Sequence, residues 1–335
     1  MRDSNSRSLE HDQPRASQPQ GSRPGPAPLG HGSRGPSAPS SGTQKLAAQG
    51  PGIKRGTPDD PKVPHFRRPQ PPAPLERFEI AHPAVPQALQ GLTILHISDL
   101  HVRRHRPTPP TIADLLDALA QTEPDLVVLT GDFMDRPGDE ESALESLKSV
   151  VAACQARLGI AGVVGNHDSG ALRERLSEVQ GVRWLTRHTP VWDVLPELRL
   201  IGSEEPEDLL ASVLASPAPT GAGAMTIGLI HYPSEIYTAA DLGIPLVLAG
   251  HTHAGQFRVT PRLAPHTSSD LPPDLATGIL RLRQTLCAVS RGLGQAVIEA
   301  RFNCPPQAPL YVLKRGELPR IQPDDFNRLT MQAAW

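Results

Sequence analysis

The stretch Asp125-Leu126-Val127-Val128-Leu129-Thr130-Gly131-Asp132-Phe133-Met134-Asp135 constrains this chain more than any other. An apolar, β-branched run ends abruptly in Gly-Asp, which reads as a buried strand delivering a carboxylate onto the loop at its C-terminal end. In open α/β sheets, ligands bind at such strand ends. Gly131 permits a tight turn there, and Asp132 faces outward. Four other clusters of metal-ligand type also follow apolar runs. They are Asp99 with His101, Asn166 to Asp168, His231, and His251 with His253. Asp132 is the residue on which these clusters are expected to converge.

The apolar pattern predicts a strand over 92–97 and a helix over 110–121, with Ile112, Leu115, Leu116 and Leu119 on one face. Pro124 ends the helix, and a strand over 126–130 completes a βαβ unit with parallel strands. A second helix over 140–157 leads to a strand over 160–164. From 169 to 225 the pattern loosens into a helix near 172–179, short strands near 182–185 and 198–201, a short helix over 206–214 and a loop over 216–223. Strands follow at 226–230 and 245–249, then β-like runs at 257–259, 285–290, 295–302 and 310–313. Early alternation and late strands imply an α/β class, with two sheets packed together and helices outside.

Two domains of very different composition are expected. Residues 1–75 are rich in Pro, Ser, Gly, Gln and Arg, and cannot bury enough apolar surface to offset the entropy of ordering. They read as a disordered tail, weakly basic at about two cations per carboxylate. Residues 76–335 read as the folded domain. The net charge of -2 gives no bulk attraction to nucleic acid or membranes. Cys154, Cys287 and Cys304 lie too far apart for a disulfide framework or a zinc ribbon. No apolar run approaches the ~18 residues of a membrane span, and residues 1–30 hold no apolar signal core. The expected location is cytoplasmic, compatible with peripheral membrane contact.

The candidate ligands Asp99, His101, Asp132, Asn166, His231, His251 and His253 offer oxygen and imidazole donors and no thiolate. That donor set selects Mn, Fe or Zn at a reactive site over a structural zinc. Asp99 and His101 are two apart, as are His251 and His253. On extended backbone, each pair would point both side chains the same way.

These five blocks together resemble the calcineurin-like metallophosphoesterases. The family signature is Asp-x-His, Gly-Asp-x-x-Asp, Gly-Asn-His-Asp or Glu, a lone His, and Gly-His-x-His. Here it stands as Asp99 to His101, Gly131 to Asp135, Gly165 to Asp168, His231, and Gly250 to His253. The resemblance spans roughly 76–315 and is nearest to a bacterial branch of membrane-linked, phosphodiesterase-like enzymes. That branch shares the turn His251 to Gln256, Ser290 to Gly294 and Arg301 to Pro306. Members of that branch usually carry an N-terminal membrane helix or export signal, where this chain has a polar segment. The resemblance implies a four-layer αββα sandwich of two mixed sheets flanked by helices. It also implies two divalent ions, with manganese favoured. One ion would take Asp99, His101, Asp132 and His253, and the other Asp132, Asn166, His231 and His251. His167 would face the substrate phosphate as a general acid, and Asp135 would hydrogen-bond and orient it.

Two such ions would clamp phosphoryl oxygens and generate a bridging hydroxide. Against two carboxylates and that hydroxide they leave a net charge of about +1, which suits a diester monoanion. The expected activity is therefore hydrolysis of a phosphodiester or pyrophosphate in a small or lipid-linked substrate. A monoester dianion would call for an extra cation near the ions, for which Arg103, Arg104 and Arg291 are candidates; loop charges or helix-dipole partners are the alternative. A catalytically weak scaffold on the same fold is a rival reading. So is a nuclease, which would need a basic groove or an added DNA-binding segment, whereas the only basic excess lies in residues 1–75, and no specific nucleic-acid binding is expected. Oligomeric state is not legible.

Overall fold

Runs of Leu, Val and Ile without polar interruption are stable as strands only when both faces of the sheet are covered. The computed structural model describes residues 75–203, 205, 208–214, 223–260, 263–269, 271–318 and 330–332, and in it the central strands are covered in this way. In chain order the elements are β1 (Leu75–His82), β2 (Thr93–Ile97), α1 (Pro110–Leu119), β3 (Leu126–Thr130), α2 (Glu140–Ala153), β4 (Ile160–Val163), α3 (Gly170–Arg175) and β5 (Val182–Trp184). Then come β6 (Val191–Leu195), β7 (Leu198–Gly202), α4 (Asp208–Leu214), β8 (Met225–Leu229), α5 (Ile236–Asp241) and β9 (Leu246–Ala249). Strands β10 (Gly278–Leu282), β11 (Thr285–Val289), β12 (Ala308–Arg315) and β13 (Thr330–Gln332) close the chain.

The strands form two mixed sheets, in the orders β1-β12-β2-β3-β4-β5 and β13-β10-β11-β9-β8-β7-β6. In the first, β2, β3, β4 and β5 run parallel, while β12 is antiparallel to β2 and parallel to β1. In the second, β7, β8, β9 and β11 run parallel, and β6 and β10 are antiparallel to their neighbours.

Period-two alternation sorts the core into layers. Ile94, Leu126, Val128 and Ala161 of the first sheet meet Leu200, Ile227, Leu229, Leu246 and Leu248 of the second. The alternate residues Leu95, Ile97, Val127 and Leu129 face outward onto Ile112, Leu115 and Leu119 of α1 and Leu144, Leu147 and Val150 of α2. On the far side, Val247, Ala249 and Cys287 pack against Leu209 of α4 and Ile236 and Ala239 of α5. This is the expected αββα sandwich.

Several boundaries differ from expectation. The second helix ends at Ala153 rather than 157, because Cys154 turns to φ -74°, ψ 126°. The run 295–302 is not a strand, and 257–259 contributes only an isolated bridge from Phe257 to Phe302. Strands β6 and β10 escape the sequence pattern because polar Asp193 and Arg281 interrupt them. The tail assigned to 1–75 lies outside the described residues except for Leu75, which opens β1, and most of the loop assigned to 216–223 lies outside them too. Among the described residues, no helix is long and apolar enough to cross a membrane.

Candidate metal centre

All seven expected ligands leave the C-terminal ends of parallel strands. Asp99 and His101 follow β2, Asp132 follows β3, and Asn166 follows β4. His231 follows β8, and His251 and His253 follow β9. The two sheets present these ends to one another: His231 Nδ1 donates to Thr130 O at 2.7 Å across the interface.

The extended-backbone expectation for the paired ligands is corrected here. Asp99, His101, Asp132, His251 and His253 have φ of 53°, 43°, 55°, 72° and 49°, in the left-handed region. Their side chains are therefore aimed by sharp turns and not by strand pleat. His251 and His253 accordingly enter different ligand groups. Such backbone costs about 1–3 kcal/mol per residue and persists where surrounding bonds over-determine it. Those bonds are present. Asp99 N donates to Gly131 O and His101 N to Asp132 O, both at 3.0 Å.

Asp168, to which the sequence assigned no role, ties two of the loops together. Its buried carboxylate accepts from Asp132 N at 2.9 Å, Phe133 N at 2.8 Å and Gly165 N at 2.8 Å. Burial and the Asp132 charge push its pKa up to about 6 against these donors. Gly131 makes the loops' close approach feasible. Its φ is 86°, and an added Cβ would stand 2.2 Å from Gly165 N. Gly131→Ala should therefore cost at least about 2 kcal/mol and lower Tm by roughly 4–8 °C. An unchanged thermal unfolding curve would contradict the packing of this turn.

Three groups have ligand atoms within 4.8 Å of one another: Asp99, His101 and His253; His101, Asp132 and His167; and Asp132, His231 and His251. Asp132 Oδ2 lies 3.4 Å from His101 Nε2 and 3.2 Å from His231 Nε2. Asn166 joins the third group, its Oδ1 3.1 Å from His231 Nε2. Asp99, His101, Asp132, His231 and His253 are buried, His167 and His251 partly so, and Asn166 is exposed at the mouth.

The donor set fits divalent cations. His231 and His251 donate their outer nitrogens to Thr130 O and Ser268 O, both at 2.7 Å. This fixes the tautomer that leaves the inner nitrogens as lone pairs. Those inner atoms, His231 Nε2 and His251 Nδ1, stand 3.2 Å apart. His101 Nε2 and His253 Nε2 stand 2.8 Å apart. Facing lone pairs repel unless a proton or cation sits near them. Asp99 Oδ2 is also buried without a hydrogen-bond partner. In the metal-free protein, protons satisfy part of this demand. Burial opposes charge on His101, but Asp132 and Asp135 overcome it and raise the pKa to about 9. His231 is likewise raised to about 10 against burial by Asp132. Burial, with His101 and Arg301 nearby, holds His253 well below the usual range.

The expected hydrogen bond between Asp135 and His167 is present, but the backbone and not the carboxylate makes it. His167 Nδ1 donates to the Asp135 backbone carbonyl at 2.6 Å, and the carboxylate turns elsewhere. Asp135 Oδ1 lies 3.3 Å from His101 Nδ1, and Oδ2 pairs with Arg103 and Arg136 at 3.0 Å. Asp135 thus backs a candidate ligand histidine, in the manner of the carboxylates that orient metal-binding imidazoles.

Of the candidate phosphate cations, Arg103 is buried against Asp135 and Glu299, and Arg291 against Glu76. Only Arg104 is exposed. Partly buried Arg301, which only the late Arg-Phe-x-Cys-Pro-Pro block singled out, brings Nη2 to 3.1 Å from His253 Nδ1. Thr130 O and Ser268 O carried no sequence signal, because a backbone carbonyl has no residue-type signature.

The calcineurin-like phosphoesterase family model matches residues 92–255, the segment running from β2 to the His251–His253 turn. The chain belongs to this family. Relatives include an uncharacterized metallophosphoesterase, YkuE, of Bacillus subtilis, 25% identical over 69% of this chain and 82% of that protein. The UDP-2,3-diacylglucosamine pyrophosphatase LpxG of Chlamydia muridarum is 29% identical over 65% and 82%. The phosphodiesterase YaeI of Escherichia coli is 25% identical over 66% and 81%. The family's ligand blocks all fall inside the matched segment.

Proposed function

We propose that this chain is a dinuclear metal-dependent phosphoesterase that hydrolyses phosphodiester or pyrophosphate bonds in small or lipid-linked substrates. One observation carries the reading: a single buried oxygen, Asp132 Oδ2, lies between the imidazoles of two ligand groups. Asp99, His101, Asp132 and His253 would hold one ion, and Asp132, Asn166, His231 and His251 the other. Manganese suits this oxygen and nitrogen donor set. When bound, such ions supply Lewis-acid charge to phosphoryl oxygens and activation of water.

The remaining chemistry belongs to side chains. His167, at the partly exposed edge and held by the Asp135 carbonyl, is placed to meet a phosphoryl or leaving-group oxygen and donate a proton. Exposed Asn166 and half-buried His251 border the approach. The engagement of Arg103 and Arg291 in buried ion pairs leaves neither to neutralise a second phosphate charge. That supports a diester or pyrophosphate over a monoester. The names of LpxG and YaeI, a pyrophosphatase and a phosphodiesterase, support the same class.

The test is a paired assay of bis-p-nitrophenyl phosphate and p-nitrophenyl phosphate with Mn at one pH. The diester should give the higher kcat/KM. A higher monoester value overturns the substrate class, and absence of metal-dependent hydrolysis of either overturns the enzyme reading.

A further inference from the structure

Asn166 and His167 stand side by side on the turn that follows β4, the first exposed and the second half-buried. Burial alone cannot fix such side chains, so the backbone that bears them has to be held by other groups.

Arg173 holds it. The residue belongs to α3, just beyond the turn, and its side chain folds back onto the Gly165–Asp168 block. Its Nη2 donates to Gly165 O at 3.0 Å and its Nε to Asp168 O at 2.9 Å. One guanidinium therefore grips the first and last carbonyls of the block, with Asn166 and His167 between them. A planar fork with donors in fixed geometry is what lets a single side chain span both. The third corner, Nη1, pairs with Glu205 Oε1 at 3.2 Å. Glu205 follows β7 of the second sheet, so the fork also joins loops of the two sheets. Arg175, two residues on, shows the ordinary alternative. It pairs with Glu141 and Glu178 at the exposed surface, where ion pairs contribute little.

The turn lies hard against candidate ligands. A Cβ added to Gly165 would stand 2.2 Å from Asp132 Oδ1 and 2.7 Å from His231 Cε1. His167 N donates to Asp132 Oδ1 at 2.8 Å, and Asn166 Oδ1 lies 3.1 Å from His231 Nε2. Any shift of the block is thus a shift of one ion group. The group of Asp99, His101, Asp132 and His253 takes no residue from it.

We propose that Arg173 is a positioning residue that aims Asn166 and His167, and so governs the ion group of Asp132, Asn166, His231 and His251 while leaving the other group alone. The inference rests on the dinuclear reading and adds to it a residue that lies outside the five ligand blocks.

The test is Arg173→Ala, followed in the metal-free and the metal-loaded protein. In the wild type, His167 Nδ1 donates to Asp135 O. In the metal-free variant, the NMR signal of that proton should broaden into exchange with water. In a manganese titration, one of the two ions should bind about 10–100-fold more weakly, the range for a residue that orients ligands, and the other should bind as before. Arg173→Lys keeps the charge but cannot span two carbonyls. It should show the same selective loss, and it carries the test if the alanine variant fails to fold. Glu205→Gln keeps both carbonyl bonds and should bind both ions as the wild type does. An unchanged His167 signal overturns the proposal, as does equal weakening of both ions with a lowered Tm, which marks a merely structural residue. Full recovery in Arg173→Lys, or the same defect in Glu205→Gln, overturns it as well. Wild-type protein that binds fewer than two ions defeats the dinuclear reading instead, and the His167 signal of the metal-free protein still decides whether Arg173 aims the turn.

Discussion

Asp132→Asn is expected to lower hydrolysis by more than about 10³-fold, which corresponds to several kcal/mol of lost charge stabilisation. It should also release at least one equivalent of bound divalent ion. The substitution is close to isosteric. The amide oxygen can still accept from His167 N, as Asp132 Oδ1 does at 2.8 Å. The other atom becomes an NH2 group, set between His101 Nε2 and His231 Nε2. A donor then points where two cations would share a negative oxygen. The metal-free protein should respond as well. The Asp132 charge is a principal cause of the raised pKa values of His101 and His231, so both should fall, and both imidazoles should lose protons at lower pH. Elemental analysis, activity and an NMR titration of the histidines read the three effects. Full two-ion occupancy in this variant would remove the bridging assignment.

His167→Ala should lower turnover by ~10²–10⁴-fold, the range for a positioned acid, while both ions stay bound. The ring hangs from the Asp135 carbonyl and stands edge-on to His101 with centroids 4.6 Å apart. It is close enough to be grouped with His101 and Asp132 as a ligand set, so the outcome discriminates. Loss of an ion from His167→Ala would make it a ligand and not an acid. Asp135→Asn provides the contrast. It keeps the carbonyl that holds His167 but alters the carboxylate behind His101, so its effect should appear in metal affinity before the proton-transfer step.

The sequence determined the two-sheet class, the central strands and the identity of the converging residues. Strands β3, β4 and β9 are apolar throughout or up to a terminal Thr130, β2 and β8 carry one internal polar residue each, His96 and Thr226, and burial on both faces leaves such runs little other choice. Each ends in residues whose chemistry is plain from type alone. What the sequence could not contain was the aim of those residues. Strand pleat predicted that each pair points one way, but left-handed turns aim these residues, keeping Asp99 with His101 in one ligand group and sending His251 and His253 to different groups. Those turns persist because other loops hold them, through Asp168 and the backbone bonds between Asp99 and Gly131 and between His101 and Asp132. Likewise, the type of residue 135 suggested a carboxylate for His167, whereas the fold presented its carbonyl there and turned the carboxylate to His101. Insertion of β12 between β1 and β2, and the pairing of Phe257 and Arg258 with Phe302, are contacts between distant segments. Local pattern encodes which residues prefer burial and which bear chemistry. Direction and distance between segments far apart in the chain come only from packing.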